Sequence, residues 1–119
     1  MDFITEIGFD AVRGKVGEFQ QWLADHEPLL AESAPEGEEY LGTYAVVLST
    51  EKEAGQFRQL WRHHSYGAQD AYAAAMKGDG KFATLNDEMA ARFMDQEKGA
   101  HSSQSVLKTV VDTSFWGGA

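Results

Sequence analysis

Apolar and polar positions along the chain switch between two periods, and each switch marks an element. In "FITEIGF", residues 3–9, Phe3, Thr5, Ile7 and Phe9 alternate with Ile4, Glu6 and Gly8. A period of two places the two sets on opposite faces of a strand. In "KVGEFQQWLADHEPLLAES", residues 15–33, Val16, Phe19, Trp22, Leu23 and then Leu29 or Leu30 recur every three to four positions. Glu18, Gln20, Gln21 and Asp25 fall on the outward side, so the segment predicts an amphipathic helix. Pro28 lacks a backbone donor and restricts Glu27, which predicts a kink or break there and a short further turn through Leu30.

"YLGTYAVVLS", residues 40–49, returns to period two. Tyr40, Gly42, Tyr44, Val46 and Leu48 alternate with Leu41, Thr43, Ala45 and Val47. Both sets are largely apolar, which predicts a strand buried on both faces. The polar loop "TEKEAG" leads into a third strand, "QFRQLWRHH", residues 56–64. There Phe57, Gln59, Trp61 and His63 share one face, and Arg58, Leu60, Arg62 and His64 share the other, so the adjacent histidines point apart. Ser65 is the expected N-cap of an alanine-rich helix through Met76, with Ala68, Tyr72 and Met76 on one stripe. "KGDG" interrupts it, and residues 81–97 predict a further helix with Phe82, Leu85, Met89 and Phe93 in line and Asn86 off that stripe. "QSVLKTVVDTS", residues 104–114, is the fourth strand.

The order strand, helix, strand, strand, broken helix, strand predicts an α+β fold of the ferredoxin-like kind, with a four-stranded antiparallel sheet and helices on one face. Residues 1–119 read as a single domain. The uncovered face would carry large apolar residues, on the second strand above all, and a second copy of the chain is the economical cover. A twofold homodimer is therefore expected.

Composition narrows the partners. Apolar residues make up 43% of the 119, enough for one core. Ten Lys plus Arg stand against nineteen Asp plus Glu, a net charge of −9, which argues against nucleic acid and against docking on anionic membranes. No apolar run approaches the ~20 residues of a membrane span. The acidic N-terminus does not resemble a signal peptide, and a chain without cysteine fits a reducing cytoplasm, the expected location. The missing thiols also rule out cysteine nucleophiles and thiolate metal sites.

The richest stretch chemically is "FRQLWRHH". Trp61 is the candidate wall of a substrate site, against an ordinary role in the core or a dimer seam. His63 lies two residues on along the same face, and an imidazole that titrates near pH ~6.5 can serve as general acid or base. Arg62, like Arg58, could hold a substrate carboxylate or pair with an acidic neighbour. Tyr44 could present a hydroxyl to a ligand or fill the dimer seam, and Tyr40 is placed similarly. The four histidines lack the spacing of a compact metal site. A phosphate loop, a dinucleotide-binding glycine motif and a nucleophile elbow are all missing.

Three stretches carry a family resemblance: "FITEIGFDAVRGKVGEF", "YLGTY" and "FRQLWRHHSYGAQDAYAAA". They resemble NIPSNAP-like proteins of the dimeric α/β-barrel superfamily, in a strand and Gly-Lys turn before a helix with an early Glu-Phe, a Leu-Gly-aromatic strand, and a Trp-Arg strand end before an alanine-rich helix. The chain departs from the family at His63, where an aromatic residue commonly follows Trp-Arg, and at Arg13, which replaces a common proline. The resemblance implies a sheet that dimerises into a barrel, with a small-molecule cavity between the sheet and the helices or inside the barrel. It leaves three functions open. The first is a cofactor-independent monooxygenase acting on a hydrophobic, aromatic or polyketide-like substrate, with Trp61 packing on it, His63 moving a proton and Tyr44 orienting a polar group. The second is a non-catalytic binding or stress-associated module. The third is a heme-binding protein. No cofactor is expected for the first, with heme and flavin left open.

Overall fold

The computed structural model describes residues 2–50, 56–65, 67–95 and 103–111. The elements run β1 (Phe3–Phe9), α1 (Val16–Ser33), β2 (Glu38–Ala45), β3 (Phe57–His63), α2 (Ala68–Lys77), α3 (Lys81–Phe93) and β4 (Ser103–Lys108). The four strands form one antiparallel sheet in the order β2-β3-β1-β4. The helices cover one face of it, which is the expected ferredoxin-like α+β arrangement.

The inward set of each strand builds the core. Ile7 and Phe9 from β1 and Phe57 and Trp61 from β3 pack against Phe19, Trp22 and Leu30 of α1 and Phe82, Leu85, Met89 and Phe93 of α3. Phe9, Phe19 and Phe57 meet with ring centroids 5.2–5.7 Å apart. Trp61, Tyr72 and Phe82 form a second edge-to-face group that fixes α2 over β3. Asn86, expected off the apolar stripe of α3, is buried, its Nδ2 donating to the Phe82 carbonyl at 2.8 Å.

Several boundaries differ from the sequence expectation, each for a physical reason. The first helix does not break: Pro28 sits inside a continuous α1. The lost hydrogen bond costs about 3 kcal/mol, and the turn beyond is held by Leu30, which is fully buried, and by Glu27, whose carboxylate accepts the Tyr40 hydroxyl at 2.7 Å. Ser65 does not cap α2 with its hydroxyl. Gly67 is the cap residue, and Ser65 contributes only its carbonyl, to the Ala68 N–H at 3.2 Å. Helix α3 stops at Phe93 because Met94 turns extended and bridges to Ala11, with Val12 N–H bonded to the Phe93 carbonyl and Asp95 N–H to the Asp10 carbonyl. In the fourth strand, ladder pairing ends at Lys108, and residues 112–114 of the expected strand lie outside the described residues.

The second strand departs most. It begins at Glu38, two residues early, and ends at Ala45; none of its residues is buried as a whole, although the Glu38 side chain is. Its pairing with β3 shifts between Tyr40 and Gly42, leaving Leu41 as the extra residue of a bulge. Gly42 takes φ +117°, open to glycine and rarely to other residues. The shift reverses the alternation. Tyr40 lies opposite Trp61 on the helix side, while Tyr44 lies opposite Arg58 on the open side. The expected apolar slab on the open face is therefore interrupted by charge: Arg58 Nε binds Glu6 Oε1 at 2.7 Å and Arg62 binds Glu39. Val47 and Leu48, read as strand residues, lie beyond its end and are almost fully exposed.

Candidate functional site

Period two puts Trp61 and His63 side by side on the helix-facing surface of β3, as expected, and the structure closes a cavity over them. Its volume is about 190 Å3, and its walls are Thr5, Ile7, Glu38, Trp61, His63, Tyr72, Ala73 and Gln104. Strands β1 and β3 supply the buried floor. Tyr72 and Ala73 of α2 and Gln104 of β4 form the more exposed rim.

His63 is 1% exposed and held at both ring nitrogens. Nε2 lies 3.2 Å from Thr5 Oγ1, and Nδ1 lies 3.1 Å from Glu38 Oε1. Both partners arrive through sheet register: Glu38 is directly opposite His63 on β2, and Thr5 is opposite Trp61 on β1. Phe3 packs its ring edge-on against the imidazole, 6.0 Å between centroids. The line Thr5–His63–Glu38 orients the imidazole through both of its nitrogens, one on a carboxyl and the other on a hydroxyl.

The Glu38 side chain is 1% exposed, and its second oxygen, Oε2, is buried with no hydrogen-bond partner. An unmet buried polar atom costs on the order of 1–3 kcal/mol, and more when charged. Burial accordingly pushes the Glu38 carboxyl up from its ordinary value, and the bond and charge of His63 oppose that shift more weakly. The Tyr72 phenol is also raised, to about 12, first by burial and then by the nearby Glu38.

Trp61 is 1% exposed, and its indole N–H donates to Gln59 Oε1 at 2.9 Å. Gln59 in turn donates to Thr43 Oγ1, which lies 2.6 Å from the Tyr40 hydroxyl. This buried polar chain ends on Glu27. It satisfies the indole internally, so Trp61 offers the cavity an apolar face rather than a donor.

The other two candidate site residues are elsewhere. Arg62 points to the open face of the sheet and binds Glu39. Tyr44 is half exposed on that same face, its hydroxyl donating to the Leu41 carbonyl at 2.5 Å. Neither lines the cavity. His64, on the open side as expected, is exposed with Nδ1 2.9 Å from Asp2. Sequence reading missed Glu38 and Thr5. Glu38 stands in "APEGEE", whose Pro and Gly read as the close of the helical segment. Extending the pairing of "YLGTY" with "FRQLWRHH" back by two residues would have set Glu38 against His63.

Both ring nitrogens of His63 are held within the fold, so His63 would have to give up Thr5 or Glu38 to ligate a heme iron. Among the described residues no cluster of histidine and carboxylate side chains could hold a metal ion, and no helix is long and apolar enough to cross a membrane.

The sequence matches no family model and no curated protein. Solved structures do match it in fold. A NIPSNAP-like domain protein from Burkholderia xenovorans superposes with a TM-score of 0.64 at 9% identity, covering 94% of this chain and 88% of its own. HapK from Hahella chejuensis gives 0.63 at 9% identity, covering 95% and 96%. A NIPSNAP family protein from Agrobacterium tumefaciens gives 0.59 at 9% identity, covering 90% of each chain. The chain thus has the NIPSNAP-like fold that its sequence resembles.

Proposed function

We propose that this NIPSNAP-like fold serves as a small-molecule enzyme in which His63 transfers a proton to or from an uncharged, largely apolar substrate. One observation carries the proposal: an imidazole fixed between Glu38 and Thr5 in the wall of a cavity lined otherwise by Ile7, Trp61, Tyr72, Ala73 and Gln104. A positioned general base typically contributes ~10²–10⁴-fold to a rate. In the cofactor-independent oxygenase version, His63 takes a C–H or O–H proton, and the resulting carbanion or phenolate gives an electron to dioxygen; the two radicals couple through a new C–O bond to a hydroperoxide, which loses water to leave a carbonyl. The volume favours a substrate of about one ring over a fused polyketide. Trp61 packs on it, and Tyr72, at the rim, takes the part of orienting a polar group that sequence reading gave to Tyr44.

We further propose that two chains associate through the open face of the sheet. The half-exposed Tyr44 and Leu107 on that face support this, with Val110 and Val111 exposed beyond β4.

A ligand-binding module without turnover is the second reading. It is favoured by the saturation of both His63 nitrogens within the fold. Oxygen uptake and NMR of small ketones and hydroxyarenes incubated with the protein separate the two. The enzyme reading expects product or α-proton exchange that falls at least ~10²-fold in His63→Gln. Tight binding of the same compounds without conversion would establish the module instead.

A further inference from the structure

Glu38 closes one end of the Thr5–His63 line and lines the cavity, and its buried Oε2 has no hydrogen-bond partner among the described residues. We infer that Glu38 is the ligand-recognition group of this cavity, donating an O–H from Oε2 to the carbonyl oxygen of a small, uncharged, enolisable compound. The inference rests on His63 acting as the base.

The proton count sets the direction of the donation. For His63 to accept a proton at Nε2, that nitrogen must hold a lone pair, so Thr5 Oγ1–H donates to it. Nδ1 then carries the ring proton and donates to Glu38 Oε1. A carboxyl that accepts at Oε1 while buried away from any cation keeps its proton on Oε2. Every polar atom of the line is then satisfied except that O–H, whose acceptor must come from a ligand. The shift of Glu38 toward its neutral form, caused by burial, agrees with this assignment.

The walls set the ligand's charge. None of the described residues lining the cavity is a lysine or arginine, and Arg58 and Arg62 are bound to Glu6 and Glu39 on the other face of the sheet. A substrate carboxylate would meet no fixed cation here. A base beside a hydrogen-bond donor is the arrangement that enolisation requires. The α C–H bond breaks and its proton goes to His63 Nε2. The electron pair moves onto the carbonyl oxygen, which takes the Glu38 proton. The keto form becomes the enol, and Glu38 and His63 are left as an ion pair.

Cyclopentanone is a suitable probe, with its binding followed by NMR titration and its bound carbonyl by the infrared C=O stretch. The wild-type protein is expected to bind it with the stretch shifted below its value in water. Glu38→Gln, whose amide also accepts from His63 and donates to the ligand, should bind within about threefold of wild type. Glu38→Ala should bind at least tenfold more weakly. No binding to the wild type, an unshifted stretch, or equal binding by Glu38→Ala would overturn the inference. Preferential binding of cyclopentylamine, lost in Glu38→Gln, would also overturn it and make Glu38 an anionic cation site. The infrared shift is read on the wild type, so the test stands even if Glu38→Ala fails to fold. Exchange of the ketone α-protons in D2O reports His63 separately. Exchange that persists unchanged in His63→Gln removes the base reading, whereas exchange that needs His63 alongside an unshifted stretch removes only the role of Glu38.

Discussion

At the residue scale, the energetics of the site concentrate on Glu38. Its folded-state pKa is raised above the ordinary 4.5, so the native state holds this proton at pH values where the unfolded chain has lost it. In that window the native state binds more protons than the unfolded one, and stability falls as pH rises. The loss begins near pH 4.5 and is complete above the folded-state pKa. Glu38→Gln removes the term, so its stability relative to wild type should climb with pH across that window. Urea titrations of both proteins at several pH values check this, and a constant difference would be incompatible with a buried, raised carboxyl. Gln59 gives a second prediction. Its Oε1 is the acceptor for the Trp61 indole, and it is 2% exposed. Gln59→Leu would strand that N–H and the Thr43 bond, costing about 1–3 kcal/mol by chemical denaturation.

At the element scale, two local conflicts with propensity are overridden by packing. In α1, exposed Pro28 is tolerated because Leu30 and Glu27 anchor the turn beyond it. Pro28→Ala restores a backbone donor without disturbing those anchors, and an increase in unfolding free energy of about 1–3 kcal/mol is expected. In β2, the bulge depends on Gly42. Its φ of +117° strains other residues, and a Cβ there would come within 3.0–3.2 Å of the Tyr44 ring and hydroxyl. Gly42→Ala should therefore destabilise by roughly 1–3 kcal/mol. Combining it with Tyr44→Ala should recover only the steric part, leaving the backbone strain.

At the scale of the whole molecule, the two faces of the sheet do different work. The helix-covered face holds the aromatic core and the cavity. The open face carries Arg58–Glu6 and Arg62–Glu39 with the half-exposed Tyr44 and Leu107. If that face is a dimer seam, light scattering after size exclusion will give twice the 13.1 kDa chain mass. Charge reversal at Glu39 to Lys, which sets like charges beside Arg62, will shift the protein toward monomer. A monomer in the unmodified protein would retire the dimer and leave the Thr5–His63–Glu38 line intact, because its three members lie in one chain.

The sequence by itself determined the elements, their order, and the placing of Trp61 and His63 on one face, because a strand's alternation is local and needs no partner. The same periodicity correctly separated His63 from His64. What only the tertiary structure decided is which residues meet across strands. Glu38 and His63 are 25 positions apart and Thr5 and His63 are 58 apart, and no local period encodes the register that joins them. One extra residue in β2, at Leu41, turned Tyr44 away from the cavity that alternation had given it, since a single-residue shift in a strand reverses every side chain beyond it. Whether a polar atom is satisfied is likewise a property of the packed fold, and it is that property which singles out Glu38.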